Sequence, residues 1–256
     1  MTGAQVLPIF YHYPKDKMLD TLSKINGVFI PGGEMPIDRD NLWTSNVQVI
    51  VDYAIEQNDK GNPFPIWATC LGYEAILYLF ANRKDNMTVL TEVEGQHGLT
   101  CPLNVKSNNS ALIKALSPEE YKGVTEGDGL LWFHQTWAIT VKTFEETESI
   151  NKFWRLVSTS PTGGGVEQVS TVEAFNYPFF MTQYHPEKNS FEWRINAKRT
   201  YNAISVEQKM INQFTKVARL NQNRMSEDEW RKRWIYNYDP IYTPDSYYFP
   251  VVYTFD

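Results

Sequence analysis

Residues 64–80 constrain the fold of this chain more than any other stretch. Residues 65–69, Pro-Ile-Trp-Ala-Thr, form a short apolar run suited to a central strand. From there the apolar positions fall at Leu71, Ala75, Ile76, Leu79 and Phe80, which is helical spacing. A strand must therefore hand over to a helix at or beside Cys70, with Gly72 letting the helix backbone pass close to the strand. The same alternation runs upstream. Residues 5–10 read as a strand, and 16–24 as a short helix with Met18, Leu19 and Leu22 on one side. Residues 25–30 read as a second strand ending in Pro31-Gly32-Gly33. Residues 43–57 form an amphipathic helix whose Trp43, Val47, Ile50, Val51, Ala54 and Ile55 share a face, closed by Gly61 and Pro63. This βαβαβα order predicts an α/β fold in three layers, an open, mostly parallel sheet flanked by helices. In such sheets, sites form at the carboxyl ends of strands. Gly32-Gly33 and Cys70 both fall there.

Beyond about residue 83 the pattern shifts to short strands, expected at 88–93, 99–105, 130–133 and 138–141, with turns such as Glu126-Gly-Asp-Gly129 between them. Helical turns are expected at 117–121, with Pro118 near the start, and at 147–154. Residues 166–175 and 178–184 read as a hairpin-like pair joined around Asn176-Tyr177. Gly163-Gly-Gly165 is a turn and not a phosphate cradle, because no Gly-Lys-Ser/Thr follows it. Residues 206–220 form an amphipathic helix with Met210, Ile211, Phe214, Val217 and Ala218 on one side. The tail carries the basic run Arg231-Lys-Arg233, read as a solvated face. Then come Trp234, Tyr236, Tyr238, Tyr242, Tyr247, Tyr248, Phe249, Tyr253 and Phe255. So much aromatic surface is expected to pack on the domain. With no internal repeat and no interdomain linker, residues 1–256 read as one domain carrying the packed tail 230–256.

Composition narrows the function. The chain is 42% hydrophobic, enough to bury a full core and too apolar for disorder. A net charge of -6 argues against nucleic acid and anionic membranes as partners. An anionic substrate would need local Lys or Arg residues. No apolar run is long enough to span a membrane. The N-terminus shows no basic leader and no signal-peptide core. The two cysteines, Cys70 and Cys101, form no disulfide framework. Two sequons, at Asn86 and Asn108, matter only in a secretory compartment.

A cysteine taken alone is most often a small buried hydrophobe. Cys70 differs by its place in a sharp turn at a helix N-terminus, where unpaired N–H groups are expected to favour the thiolate. Such a nucleophile needs a base. His12 lies in a polar loop and His97 in a turn. His185 follows the apolar strand 178–184, opens His185-Pro-Glu-Lys188, and points at the same rim as Cys70. Glu187 is close enough to orient its imidazole, the general logic of such triads. His134 also ends an apolar strand. Two readings stay open for it, a residue that binds or positions substrate and a hydrogen-bonded core histidine. The Leu71 and Gly33 amides are the candidate oxyanion donors. Together these groups fit acyl transfer from an amide through a thioester, with water as acceptor. No Cys/His cluster has metal-ligand spacing, and no cofactor is implied.

With those residues quoted, the chain resembles the gamma-glutamyl hydrolases, cysteine peptidases of the class I glutamine amidotransferase-like, flavodoxin-like fold. The resemblance rests on residues 25–33, on 65–74, and on Phe133-His134. It continues through residues 177–193, Asp239-Pro-Ile-Tyr-Thr243 and Tyr253-Thr-Phe-Asp256. It implies Cys70 as nucleophile, His185 as acid and base, and His134 in the cleft. It implies folate or antifolate poly-gamma-glutamates as substrates, a lysosomal, vacuolar or extracellular location, and a homodimer. Ala68 stands where the family has Gly, and the spacing from His134 to Trp137 is longer than the family pattern. The chain begins one βα unit later than that pattern, so the sheet is expected to lack the family's first βα unit. Two alternatives accompany this reading: a glutamine amidotransferase (glutaminase) domain and an inactive truncated homologue.

Overall fold

The computed structural model describes residues 2–81, 89–244 and 249–255. Helix α1 (Lys15–Leu22) is followed by β1 (Val28–Ile30), α2 (Leu42–Asp59), β2 (Ile66–Thr69) and α3 (Leu71–Phe80). Short elements come next: β3 (Thr91–Glu92), β4 (His97–Thr100), β5 (Asn104–Val105), α4 (Ala111–Lys114) and α5 (Pro118–Thr125). Then come β6 (Trp132–His134), β7 (Trp137–Ala138), α6 (Val141–Glu146) and α7 (Glu148–Asn151). The strands β8 (Trp154–Pro161), β9 (Glu167–Ala174) and β10 (Phe179–Thr182) lead to α8 (Lys188–Phe191), α9 (Tyr201–Ala218) and α10 (Glu227–Arg233). A small hairpin, β11 (Pro240–Tyr242) with β12 (Val251–Tyr253), follows.

Local chemistry sets several of these boundaries. The Asn41 carboxamide accepts the Trp43 N–H at 2.8 Å and starts α2. Ser117 and Glu120 form a capping box around Pro118 and start α5. Thr200 caps α9.

The central sheet has six strands in the order β1-β2-β10-β9-β8-β5. β1 and β10 flank β2 in parallel, and the β10–β9, β9–β8 and β8–β5 pairings are antiparallel. The expected α/β layering holds, and the sheet is mixed: its parallel part is β1, β2 and β10. Strand alternation divides the core in two. Ile66 and Ala68 of β2, with Phe179 and Met181 of β10, pack with the α1, α2 and α3 side chains. Trp67 and Phe180 face the other way, onto Leu112, Val124, Val206, Met210 and Phe214 of α4, α5 and α9. That makes three layers, with the parallel strands all ending on one rim.

Several expectations are corrected. Residues 5–10 form no strand. A strand needs a hydrogen-bonding neighbour. This segment instead packs Ile9 and Phe10 on the core, and Val6 O accepts the Ile235 N–H at 3.2 Å. The helix expected at 147–154 stops at Asn151, and β8 begins at Trp154. Residues 99–105 split between β4 and β5, and the strand at 138–141 is confined to β7. The expected strand at 88–93 is described from residue 89 on and shortens to β3.

In the tail, Phe10 packs against Tyr238 and Phe255, while Tyr236 and Tyr242 are exposed. Tyr247 and Tyr248 lie outside the described residues, as does the Asn86 sequon; Asn108 is exposed. Among the described residues no helix is long and apolar enough to cross a membrane.

Candidate active site

β2 delivers Cys70 to the rim in an unusual backbone state. Its φ of 50° and ψ of -113° make it the one non-glycine residue with positive φ among the described residues. Such a conformation costs on the order of 1–3 kcal/mol and persists only where the surroundings enforce it. Here the Cys70 N–H donates to Thr182 O at 2.9 Å, and the Glu74 N–H closes the first helical turn on Cys70 O at 2.9 Å. Gly72 is required at the second helical position: a Cβ there would lie 2.6 Å from Ile30 O. The helix therefore presses on β1, the neighbouring strand.

His185 reaches the same rim from the end of β10. Its N–H donates to Trp132 O at 2.8 Å, and its Nδ1 lies 2.7 Å from Glu187 Oε1. The other ring nitrogen, Nε2, is buried without a protein partner among the described residues. Gly32 brings the two candidates together. A Cβ on Gly32 would fall 2.7 Å from His185 Cε1 and 3.1 Å from Cys70 Cβ. Only a glycine fits between nucleophile and base. Gly33 follows against Leu71, with 3.5 Å from its ideal Cβ position to Leu71 Cδ2. The Leu71 N–H favours negative charge on the Cys70 sulfur, as an oxyanion donor at this turn would.

His134 ends β6, and its carbonyl oxygen lies 3.7 Å from Cys70 Sγ. Its ring stacks on Trp132 at 5.2 Å and meets His97 at 4.9 Å. Trp132 also meets the His185 ring edge-on at 5.6 Å, so one indole braces both imidazoles. The six residues expected from the sequence, Cys70, His185, Glu187, His134, Gly33 and Leu71, thus lie in one neighbourhood. His12 is exposed. Cys101 is a free thiol buried in the second core. Among the described residues no cluster of three or more His, Cys, Asp and Glu could hold a metal ion.

The electrostatics correct one expectation. Burial pushes the Cys70 thiol well above its ordinary range, and the Glu74 carboxyl adds to this. The Leu71 N–H and the Lys188 charge work against it but do not prevail. Desolvation outweighs the helix N-terminus, so the resting group is a thiol rather than a thiolate. Burial also depresses His134, helped by the charges of His97 and His185. Burial works against the Glu187 carboxylate, yet the charge and hydrogen bond of His185 hold it below the usual range. Glu74, buried beneath the nucleophile and bonded by Gln183 Nε2 at 2.8 Å, is pushed up to about 7 by burial.

Two further groups were not singled out from the sequence. Lys188 is mostly buried, with its Nζ 3.5 Å from Glu192 Oε1 and 4.8 Å from the centre of the Phe249 ring. Its signal was its place in the run His185-Pro-Glu-Lys188. Glu207, on α9, is fully buried behind the same loop. Its signal was a charge at helical spacing on an apolar face, between Ala203, Met210 and Phe214.

A sequence model of the family Glutamine amidotransferase class-I matches residues 2–196, a span that includes all six site residues. Gamma-glutamyl hydrolase B of Dictyostelium discoideum is 30% identical over 99% of this chain and 73% of its own length. The gamma-glutamyl hydrolase of Rattus norvegicus is 31% identical over 99% of this chain and 79% of its own. That of Homo sapiens is 29% identical over the same shares, 99% and 79%.

Proposed function

The chain belongs to the gamma-glutamyl hydrolases, within the class I glutamine amidotransferases, and on that premise we propose that it cleaves poly-gamma-glutamyl folates or antifolates through a Cys70 thioester. The observation that carries the mechanism is the Gly32 contact, which sets the strained Cys70 against His185. Cys70 Sγ attacks the gamma-carbonyl carbon as its proton passes to His185 Nε2. The Leu71 and Gly33 N–H groups face the oxyanion that forms. Collapse breaks the C–N bond, and the leaving amine takes the proton from His185. Water then attacks the thioester, giving its proton to His185, and the thiol leaves with a proton returned. Glu187 holds the imidazole by Nδ1, so that Nε2 faces the reacting atoms. The resting thiol fits a base that acts during attack rather than a preformed ion pair. Lys188 is the local cation for a substrate carboxylate, against the net charge of -6.

The test is turnover of folate pentaglutamate and of free glutamine by the purified chain, beside Cys70→Ala. Release of glutamate or shortened folate, lost in Cys70→Ala, is the expected result. Turnover of glutamine alone would move the chain to the glutaminase class, and a folded, inert protein would make it the inactive homologue. We also carry the family's lysosomal, vacuolar or extracellular placement and its homodimer over to this chain. Light scattering on the eluted protein decides the dimer.

A further inference from the structure

The loop from His185 to Ser190 has little to hold it from within. α8 is a single turn of four residues, and its N-cap, Glu187, makes no side-chain capping bond. A turn that short does not persist on its own propensity. It is fastened from outside. The His185 N–H is held by Trp132 O, and the Asn189 side chain donates to Leu130 O at 2.9 Å. The third fastening is Glu207 of α9, whose Oε1 accepts the Asn189 N–H at 3.1 Å while its Oε2 accepts the Ser190 hydroxyl at 3.0 Å.

Glu207 is an expensive choice for that position. It is fully buried on the apolar face of α9, with Ala203, Met210 and Phe214 around it in helical register. The groups that bear on it most are the Asn189 and Ser190 N–H groups, the Ser190 hydroxyl and the Glu187 carboxyl, none of them a cation. An apolar side chain would serve α9 better, because a buried carboxyl without a counter-charge is costly. Burial pushes Glu207 up to about 8, and the Glu187 charge adds to this. What it does make are two hydrogen bonds to the loop that carries the base.

We propose that Glu207 is a positioning residue for the His185–Glu187 pair, acting through the Asn189 backbone and the Ser190 hydroxyl. Without it, α8 is free to shift. Glu187 then leaves its 2.7 Å contact with Nδ1, and the imidazole loses the partner that fixes its orientation. Displacements of about 1 Å in a catalytic group cost up to about 10²-fold in rate. The inference rests on Cys70 and His185 as nucleophile and base, and one measurement does not depend on the substrate. That measurement is the pH profile of Cys70 alkylation by iodoacetamide, followed by peptide mass.

In the full chain, Glu207→Ala is expected to lower kcat by about tenfold with KM within about twofold, and to slow alkylation at neutral pH by a similar factor. Glu207→Gln, which keeps an acceptor for the Asn189 N–H, is expected to restore most of both rates. Ser190→Ala, which removes one of the two bonds, should fall between. Rates per folded molecule equal to the parent in all three variants, with only Tm lowered, would overturn the proposal and leave Glu207 a packing group. If Glu207→Ala does not fold, the other two variants decide by the same criterion. A parent Cys70 that resists alkylation even well above about pH 8.5, the ordinary thiol value, or a Cys70→Ala variant that keeps hydrolase activity, would instead remove the underlying mechanism.

Discussion

Gly32 and Gly33 are neighbours in sequence and opposites in tolerance. A methyl on Gly32 meets His185 at 2.7 Å and Cys70 at 3.1 Å, so base and nucleophile must part. A methyl on Gly33 meets only Leu71 Cδ2, at an ordinary 3.5 Å. Gly32→Ala should therefore lose about 10²-fold or more in kcat with little change in Tm, while Gly33→Ala should stay within a few-fold of the parent. Equal losses in steady-state assays of the two would sink this assignment. The thiol gives a second prediction. Because burial raises Cys70, alkylation should still climb with pH through and beyond about 8.5, the ordinary thiol value, instead of levelling off below it. At this scale the sequence was most readable where chemistry is local. The Cys70 turn and the run His185-Pro-Glu187 each declare themselves within a few residues. Glu207 meets the site across 18 residues of chain, and only its place on an apolar face hinted at burial.

Elements were readable where burial follows periodicity. α2 and α3 lie where their spacing puts them, and α9 begins at Tyr201, earlier than the expected start at 206. β8 went unread because its interior is polar: Ser158, Thr159 and Ser160 are fully buried. Two of their hydroxyls are satisfied across the sheet, Ser158 by Thr171 at 2.7 Å and Ser160 by Ser170 at 2.5 Å, a pairing invisible to hydropathy. Residues 5–10 erred the other way, with strand-like composition and no neighbour to pair with. α5 gives the prediction at this scale. Glu120 closes its capping box at Ser117 N–H, 2.7 Å, and receives Lys209 Nζ and Ser205 Oγ of α9 at 2.6 Å each. Burial opposes the charge, but these bonds prevail and hold the Glu120 carboxyl near about 2. A depressed carboxyl stabilises the fold above its unfolded value of 4.5, and that contribution is lost as pH falls toward about 2. Glu120→Gln should thus cost about 1.5–3 kcal/mol at pH 7 in urea unfolding, with the deficit closing below pH 4.5. A deficit independent of pH would mean packing rather than charge.

For the molecule as a whole, the layered α/β architecture followed from strand-helix order and the β9–β10 hairpin from its two adjacent runs, while the β9–β8 and β8–β5 pairings depended on partners that no local pattern announces. The same global view governs stability against pH. Two buried carboxyls have raised values, Glu74 at about 7 and Glu207 at about 8, both from 4.5. A raised carboxyl stabilises the fold fully below its unfolded value and loses that contribution as pH rises through the folded one. Stability should therefore fall from about pH 4.5 to pH 8, opposite in sign to the Glu120 window below it. Each tenfold change in a carboxyl's proton affinity on folding is worth about 1.4 kcal/mol, so the fall amounts to several kcal/mol at most. Glu74→Gln isolates one component. The new amide keeps the acceptor for Gln183 Nε2 and offers a donor to Gln183 Oε1, which has no partner among the described residues. The variant should match the parent near pH 4.5, exceed it at pH 8, and lower the pH at which Cys70 alkylates, because the Glu74 carboxyl is one of the groups raising that thiol. Parallel stability curves for parent and variant would show that Glu74 carries no proton-linked part of the fold's stability.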